Sequence, residues 1–168
     1  DELVTRLRKQ KDLPDWIHAH YADAGYVGAK VSTRLGIPFV FTGHSLGREK
    51  KRRLLQSGMD HLQIENNYSI SRRIEAEELA LTKSNLVITS TLQESKEQYD
   101  RYRNFVSNQA RVIPPGVDLR RFHPSFQSSI VPDIKDLFDP FLREPDLPPL
   151  LSISRAVRRK NIPALVEA

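Results

Sequence analysis

Residues 37–43 read Ile-Pro-Phe-Val-Phe-Thr-Gly, an almost wholly apolar run of strand length. A strand wetted on one face alternates apolar and polar residues, whereas a run like this one asks for cover on both faces. Helices supply that cover, and the flanking sequence contains them. Asp15–His20 reads as a short strand. Gly25–Gly36 places Val27, Val31 and Leu35 on one helical stripe and stops at Gly36. Glu49–Gln56 and Ser69–Lys83 read as helices joined by a polar turn. Asn85–Thr91 is another strand of the buried type. Thr91 with Glu94 forms a capping-box signature for a helix running to about Arg103. Ala110–Gly116 is a strand closed by Pro114 and Pro115, and Leu3, Val4 and Leu7 mark a helix near the start of the chain. Strands alternating with helices specify an α/β fold with a parallel, doubly wound, Rossmann-like sheet.

From Gly116 to Pro149 the texture changes. Pro124, Pro132, Pro140, Pro145, Pro148 and Pro149 make this stretch linker-like, with one short helix candidate around Ile134–Leu142. Leu150–Ser154 then reads as a fresh strand, followed by a basic loop and a helix start at which Asn161 can cap and Pro163 is tolerated. The expected organisation is residues 1–120 as one α/β domain, 121–148 as a linker, and 149–168 as the first strand–loop–helix of a second. The ends are expected to be those of a segment of a longer protein.

The 168 residues are 39 % hydrophobic, enough for a core, and carry a formal charge of +5, which suits acidic partners: nucleic acid, a membrane surface or a phosphorylated small molecule. Cysteine is absent, so no disulfide framework and no thiol chemistry are available, in keeping with a reducing compartment such as the cytoplasm. No apolar run reaches the 18 residues or so of a transmembrane helix. The first twelve residues are charged throughout, unlike a signal peptide.

Ligands of open α/β sheets collect beyond the carboxyl ends of the strands. Four stretches qualify: His18 to Gly25, Thr42 to Lys50, Thr89 to Glu94, and Ser154 to Asn161. In the second, His44 stands between Gly43 and Gly47, and five of the six residues 48–53 are basic. His44 can meet a substrate hydroxyl or merely cap a turn. Lys50, early in a helix where backbone N–H groups also favour an anion, can bind phosphate or belong to a solvated basic face. Arg73 can pair with Glu77, and Arg72 with Glu75, at helical spacing. Yet Glu77 shares a stripe with Ile70, Ile74 and Leu81. A carboxylate there needs a partner, which would orient one arginine inward and leave the other for a ligand. An arginine fork grips phosphate oxygens in pairs. His18 and His20 share a strand face, but no third ligand is evident, so no metal site is expected. His20 can instead stand as a polar residue at the strand mouth near His44. Asp23 suits the N-cap of the next helix. Arg155 and Lys160, five apart in one loop, can converge on a diphosphate or lie exposed among Arg158 and Arg159.

The ordered set "HAHYADAGYVGAKVSTRLGIPFVFTGHSLGREK", "RRIEAEELAL", "LVITSTLQE", "VIPPGVDLRRF" and "SRAVRRKN" resembles sucrose-phosphate synthases of the cyanobacterial or bacterial kind. These are retaining glycosyltransferases with two Rossmann-like domains (the GT-B type), a group that includes sucrose synthase. The resemblance covers nearly the whole chain. It implies transfer of glucose from UDP-glucose to fructose 6-phosphate, with retention. His44 would contact the donor sugar, His20 and Tyr21 would line the sugar cleft, and Lys50, Arg72 and Arg73 would bind the acceptor phosphate. Arg155 and Lys160 would hold the donor diphosphate. Ala156-Val157 stand where the family's usual "SRLDxxKN" has Leu-Asp.

The mechanism implied is a front-side displacement in which the leaving diphosphate takes the acceptor's proton, so neither a protein base nor a cofactor, magnesium included, is required. A sucrose-phosphate phosphatase, as a domain or a separate protein, is the implied partner. The family's upstream Gly-rich loop and downstream glutamate pair are not in the sequence, so the 168 residues alone are expected to be inactive. A related transferase using GDP-mannose, sucrose synthase itself, and a basic nucleic-acid-binding module are the competing readings. The last lacks the stacking aromatics and base-reading motifs of such modules.

Overall fold

The computed structural model describes residues 2–10, 12–123, 136–147 and 150–167. It separates into two compact units, 1–117 and 118–168. The first unit is built on a four-stranded sheet in the order β1 (Ile17–His20), β2 (Phe39–Thr42), β3 (Leu86–Thr89), β4 (Ala110–Val112). Every neighbouring pair is parallel, with Ile17 opposite Phe39, Val40 opposite Leu86, and Val87 opposite Ala110. This is the parallel α/β architecture expected of a GT-B enzyme.

All four residues of β2 are buried. Phe39 and Phe41 point to one face, because strand residues alternate, and α2 (Tyr21–Leu35) covers them. The helix reaches the sheet through two glycines one turn apart. A Cβ on Gly25 would lie 2.6 Å from the Phe41 ring, and one on Gly28 2.7 Å from the Phe39 ring. Glycine weakens a helix interior by about 0.5–1 kcal/mol, which the close seating of two buried phenylalanines offsets. α5 (Ile70–Lys83) packs beside α2, placing Ala80 and Leu81 in the same core as Phe39, Phe41, Val87 and Tyr99.

Several elements differ from the sequence expectation. α2 starts at Tyr21, directly from the strand, so Asp23 lies in its first turn and does not cap it. The polar turn between residues 57 and 68 contains a helix, α4 (His61–Tyr68), with a complete Asp60/Gln63 capping box. α3 runs Gly47–Gln56. Thr91 accepts from the Glu94 N–H as expected, but Glu94 reaches back to the Ser90 N–H. The helix that follows is a π-helical turn, Glu94–Gln98, passing into a 3-10 turn at Tyr99–Arg101.

In the second unit Leu150–Ser154 forms no ladder. Leu150 is 90 % exposed and Ile153 88 %. A strand is stabilised by exchange with a neighbour, and no strand lies beside this one among the described residues of the unit. Residues 136–138 are helical and Asp139–Phe141 is a 3-10 turn, while Ile134 lies outside the described residues. After Asn161, in the left-handed conformation, comes α6 (Ile162–Glu167).

Candidate active site

Three histidines gather where β1 and β2 end: His18 and His20 on β1, and His44 two residues beyond β2. His18 and His20 face away from α2, opposite in direction to Ala19. His18 Nε2 lies 2.9 Å from Thr42 Oγ1, and His20 Nδ1 lies 2.8 Å from His44 Nε2. The His20 and His44 rings stack at 5.0 Å, and the His18 and His20 rings stand 4.1 Å apart. Burial, and then the His20 and His44 imidazoles, push His18 below its ordinary pKa. Among the described residues no three His, Asp or Glu side chains gather as a metal site would need.

Backbone strain concentrates here. Among the described residues four non-glycine residues have positive φ, and three of them, Tyr21 (73°), His44 (57°) and Ser69 (45°), surround the same region. Each such residue costs on the order of 1–3 kcal/mol and persists where the surroundings dictate it. At Tyr21 the strain turns the chain from strand to helix with no loop between. At Ser69 it breaks α4 from α5, so that Tyr68 and Arg72 border one cavity. No sequence pattern announced these positions.

That cavity has a volume of about 740 Å³, and Lys50, Arg72, Arg73 and Tyr21 all line it. Lys50 Nζ lies 3.8 Å from the centroid of the Tyr68 ring, and the Arg73 guanidinium 4.5 Å from that of Tyr21. Burial first, and the Arg73 charge second, lower the pKa of Lys50, as expected of a partly buried cation beside another. Arg73 donates from Nε to Glu77 at 3.1 Å and from Nη2 to the Ser45 carbonyl. Because Arg73 touches both Tyr21 and Ser45, the chain neighbours of His20 and His44, the cavity and the histidine pair share a wall.

The basic cluster of α3 divides in two. Arg48 pairs with Glu78 at 2.7 Å, and Arg52 and Arg53 both pair with Glu49. Glu49 is held down to about 2, through the Arg52 hydrogen bond foremost and Arg53 with it, against the opposing effect of burial. Lys50 has no carboxylate partner among the described residues. The backbone donors that open α3 are also committed: Gly47 N–H donates to Glu77 and Arg48 N–H to the Tyr102 hydroxyl. Two of the N–H groups expected to assist Lys50 in holding an anion are therefore occupied by the protein's own side chains. Arg72 is exposed at the cavity rim and forms no ion pair with Glu75, contrary to its spacing; Arg73 takes the inward role.

Residues 2–121 match the family described as Glycosyltransferase Family 4. The chain belongs to that family. It is 40 % identical to "Probable sucrose-phosphate synthase 1" of Oryza sativa subsp. indica, over 93 % of this chain and 18 % of that protein. The sucrose-phosphate synthase of Zea mays matches at the same identity and coverage. Among solved structures, the sucrose-phosphate synthase from Thermosynechococcus elongatus superimposes with a TM-score of 0.62 and 28 % identity, over 91 % of this chain and 33 % of that one. The chain thus spans 18 % of the length of these plant relatives.

Within this family member the structure groups six of the residues singled out from the sequence: His20 with His44, and Tyr21, Lys50, Arg72 and Arg73 around the cavity. Arg155 and Lys160 belong to the second unit, where both are exposed and the loop is closed by Val157 N–H to Arg155 carbonyl and Lys160 N–H to Val157 carbonyl bonds, each 2.8 Å. Sequence reasoning missed Tyr68, which ends the helix α4 that it read as a turn, and the left-handed backbone of Ser69 between α4 and α5. The Asp60-x-x-Gln63 pattern was the available signal. No described helix is long and apolar enough to cross a membrane.

Proposed function

We propose that this chain is the acceptor-side portion of a retaining transferase that moves glucose from UDP-glucose to fructose 6-phosphate, giving sucrose 6-phosphate and UDP. The observation that carries the reading is the gathering of Lys50, Arg72 and Arg73 around one cavity. A sugar ester brings a dianion to such a place, and charge-assisted hydrogen bonds to it are among the strong ones. Next to the cavity, His44 offers an imidazole to the donor sugar, and the hydrogen bond between His20 Nδ1 and His44 Nε2 leaves the His44 Nδ1 side of the ring for it.

In this reading the bond from the anomeric carbon to the diphosphate breaks as the acceptor oxygen closes on the same face. The acceptor's proton passes to the departing diphosphate oxygen. Arg155 and Lys160 meet the negative charge that grows on that diphosphate, which stabilises the transition state more than the ground state. The protein's work is positioning and charge stabilisation, so neither a general base nor a magnesium ion is assigned a role. The enzyme acts in the cytoplasm, and its phosphorylated product suits a partner phosphatase, domain or protein.

The names of the relatives favour a phosphorylated acceptor over free fructose. Sucrose synthase chemistry would leave the three cations without a ligand. The nucleic-acid reading is weakened because Arg48, Arg52 and Arg53 of the basic cluster are all paired within the protein. The deciding experiment assays the full-length protein with UDP-glucose, ADP-glucose and GDP-mannose, each against fructose and fructose 6-phosphate. Sucrose 6-phosphate from UDP-glucose is the expected product. Equal use of fructose, or a preference for GDP-mannose, would replace the reading.

A further inference from the structure

Glu77 is fully buried on α5, with an apolar helix stripe around it. A carboxylate in such a place is costly unless donors surround it, and here four bonds from three donors do. The Gly47 N–H lies 3.1 and 2.9 Å from its two oxygens. Arg73 Nε donates to Oε1 at 3.1 Å, and the Tyr102 hydroxyl donates to Oε2. Position 47 must be glycine for this to happen, since a Cβ there would lie 2.8 Å from Glu77 Oε2. The neighbouring Glu78 accepts from Arg48 Nη2, Arg103 N–H and Asn104 N–H, so two successive carboxylates join α5 to the start of α3 and to residues 102–104.

Gly47 opens α3, and Lys50 follows one turn later on the same helix. Arg73 precedes Glu77 by one turn of α5. One buried side chain thus holds the helix that carries the first cation and grips the guanidinium of the second. It also divides the work of Arg73. Nε is committed to Glu77 and Nη2 to Ser45, which leaves Nη1 as the nitrogen with no partner among the described residues.

We propose that Glu77 is a positioning residue for the anion cavity, setting the separation at which Lys50 and Arg73 meet a ligand's phosphate. Glu77 does not touch the ligand itself. The proposal rests on the reading of the cavity as a sugar-phosphate site.

The test uses the full-length protein carrying Glu77→Gln, Arg73→Met, and both, with KM measured for fructose 6-phosphate and UDP-glucose. An amide keeps the shape but presents a donor to donors. Glu77→Gln is expected to raise KM for fructose 6-phosphate about tenfold, the scale of one misplaced charged contact, with KM for UDP-glucose unchanged. In the Arg73→Met background its effect should largely vanish, because residues acting as a unit are not additive. An equal rise in both KM values, no rise at all, or full additivity would overturn the proposal, since a purely structural loss predicts those. Should Glu77→Gln fail to fold, Tyr102→Phe removes one donor and keeps the charge. A several-fold rise confined to fructose 6-phosphate is then expected, and no change refutes the proposal. Lys50→Met measured alongside separates the two levels. If it leaves KM for fructose 6-phosphate untouched, the site reading falls and this proposal with it; if it raises KM while Glu77→Gln does not, only the proposal falls.

Discussion

Lys50 is the α3 cation that lines the cavity, and Lys50→Met isolates its charge while keeping most of its apolar stem. In the absence of an anion it has the Tyr68 ring at 3.8 Å and no carboxylate partner among the described residues. Stacking a cation on a tyrosine at a partly exposed site contributes about 0.5–1 kcal/mol. Against that, removing Lys50 relieves its repulsion with Arg73, which together with burial lowers its pKa. The two effects oppose, so the stability of the free protein should move by less than about 1 kcal/mol. Binding is another matter. A hydrogen bond between ammonium and phosphate is worth about 1.5–3 kcal/mol, or about ten- to a hundredfold in affinity. The assay measures initial rates of the full-length variant against fructose 6-phosphate and against fructose, at saturating UDP-glucose. KM for fructose 6-phosphate should rise by that factor, any activity on fructose should persist, and the melting temperature should barely change. A KM for fructose 6-phosphate within twofold of the wild type would refute the reasoning, because an unpaired cation in the acceptor's cavity cannot be silent.

Three further outcomes follow from the geometry. Gly25→Ala drives a methyl to 2.6 Å from Phe41 and 3.2 Å from Ala80, so it should destabilise the fold by about 1–3 kcal/mol despite alanine's better helix propensity; an unchanged denaturation midpoint would contradict this seating of α2. Glu49, held down to about 2, contributes stability that is present above its unfolded pKa of about 4.3 and is lost as the pH falls toward 2. Glu49→Gln should therefore flatten the stability profile between those limits, and an unaltered acid slope would argue against the pairing with Arg52 and Arg53. Arg155→Ala should lower turnover more than donor affinity, the mark of a contact that strengthens in the transition state; a change confined to KM for UDP-glucose would remove that role.

How far the sequence carried each feature depended on whether the signal was local. β2 was legible because seven consecutive residues of one character can only be a strand covered on both faces. Glu77 was legible as a problem, a carboxylate on an apolar stripe, and Arg73 as its nearest answer four residues away. The LLSIS run was misread because apolar character alone does not make a strand: the ladder needs a neighbour, and none stands beside it among the described residues of its unit. α4 was missed because its Asp60/Gln63 box was outweighed by the polar residues that follow. Arg48, Arg52 and Arg53 looked like one field of charge with Lys50, although their carboxylates, 30 residues away for Arg48, cancel them.

The chain's own order of residues settled the parallel α/β plan, the strand-end loops after β1, β2 and β3 where chemistry can gather, and the list of cations from which a phosphate site could be made. Those are matters of period and composition, decided within a dozen residues at a time. Only the folded molecule decided which cations stay unpaired, that His20 and His44 touch across 24 positions, and that Glu77 joins α3 to α5. Such choices depend on which side chains meet when distant segments pack, and on the strained backbone at Tyr21, His44 and Ser69 that packing alone can hold.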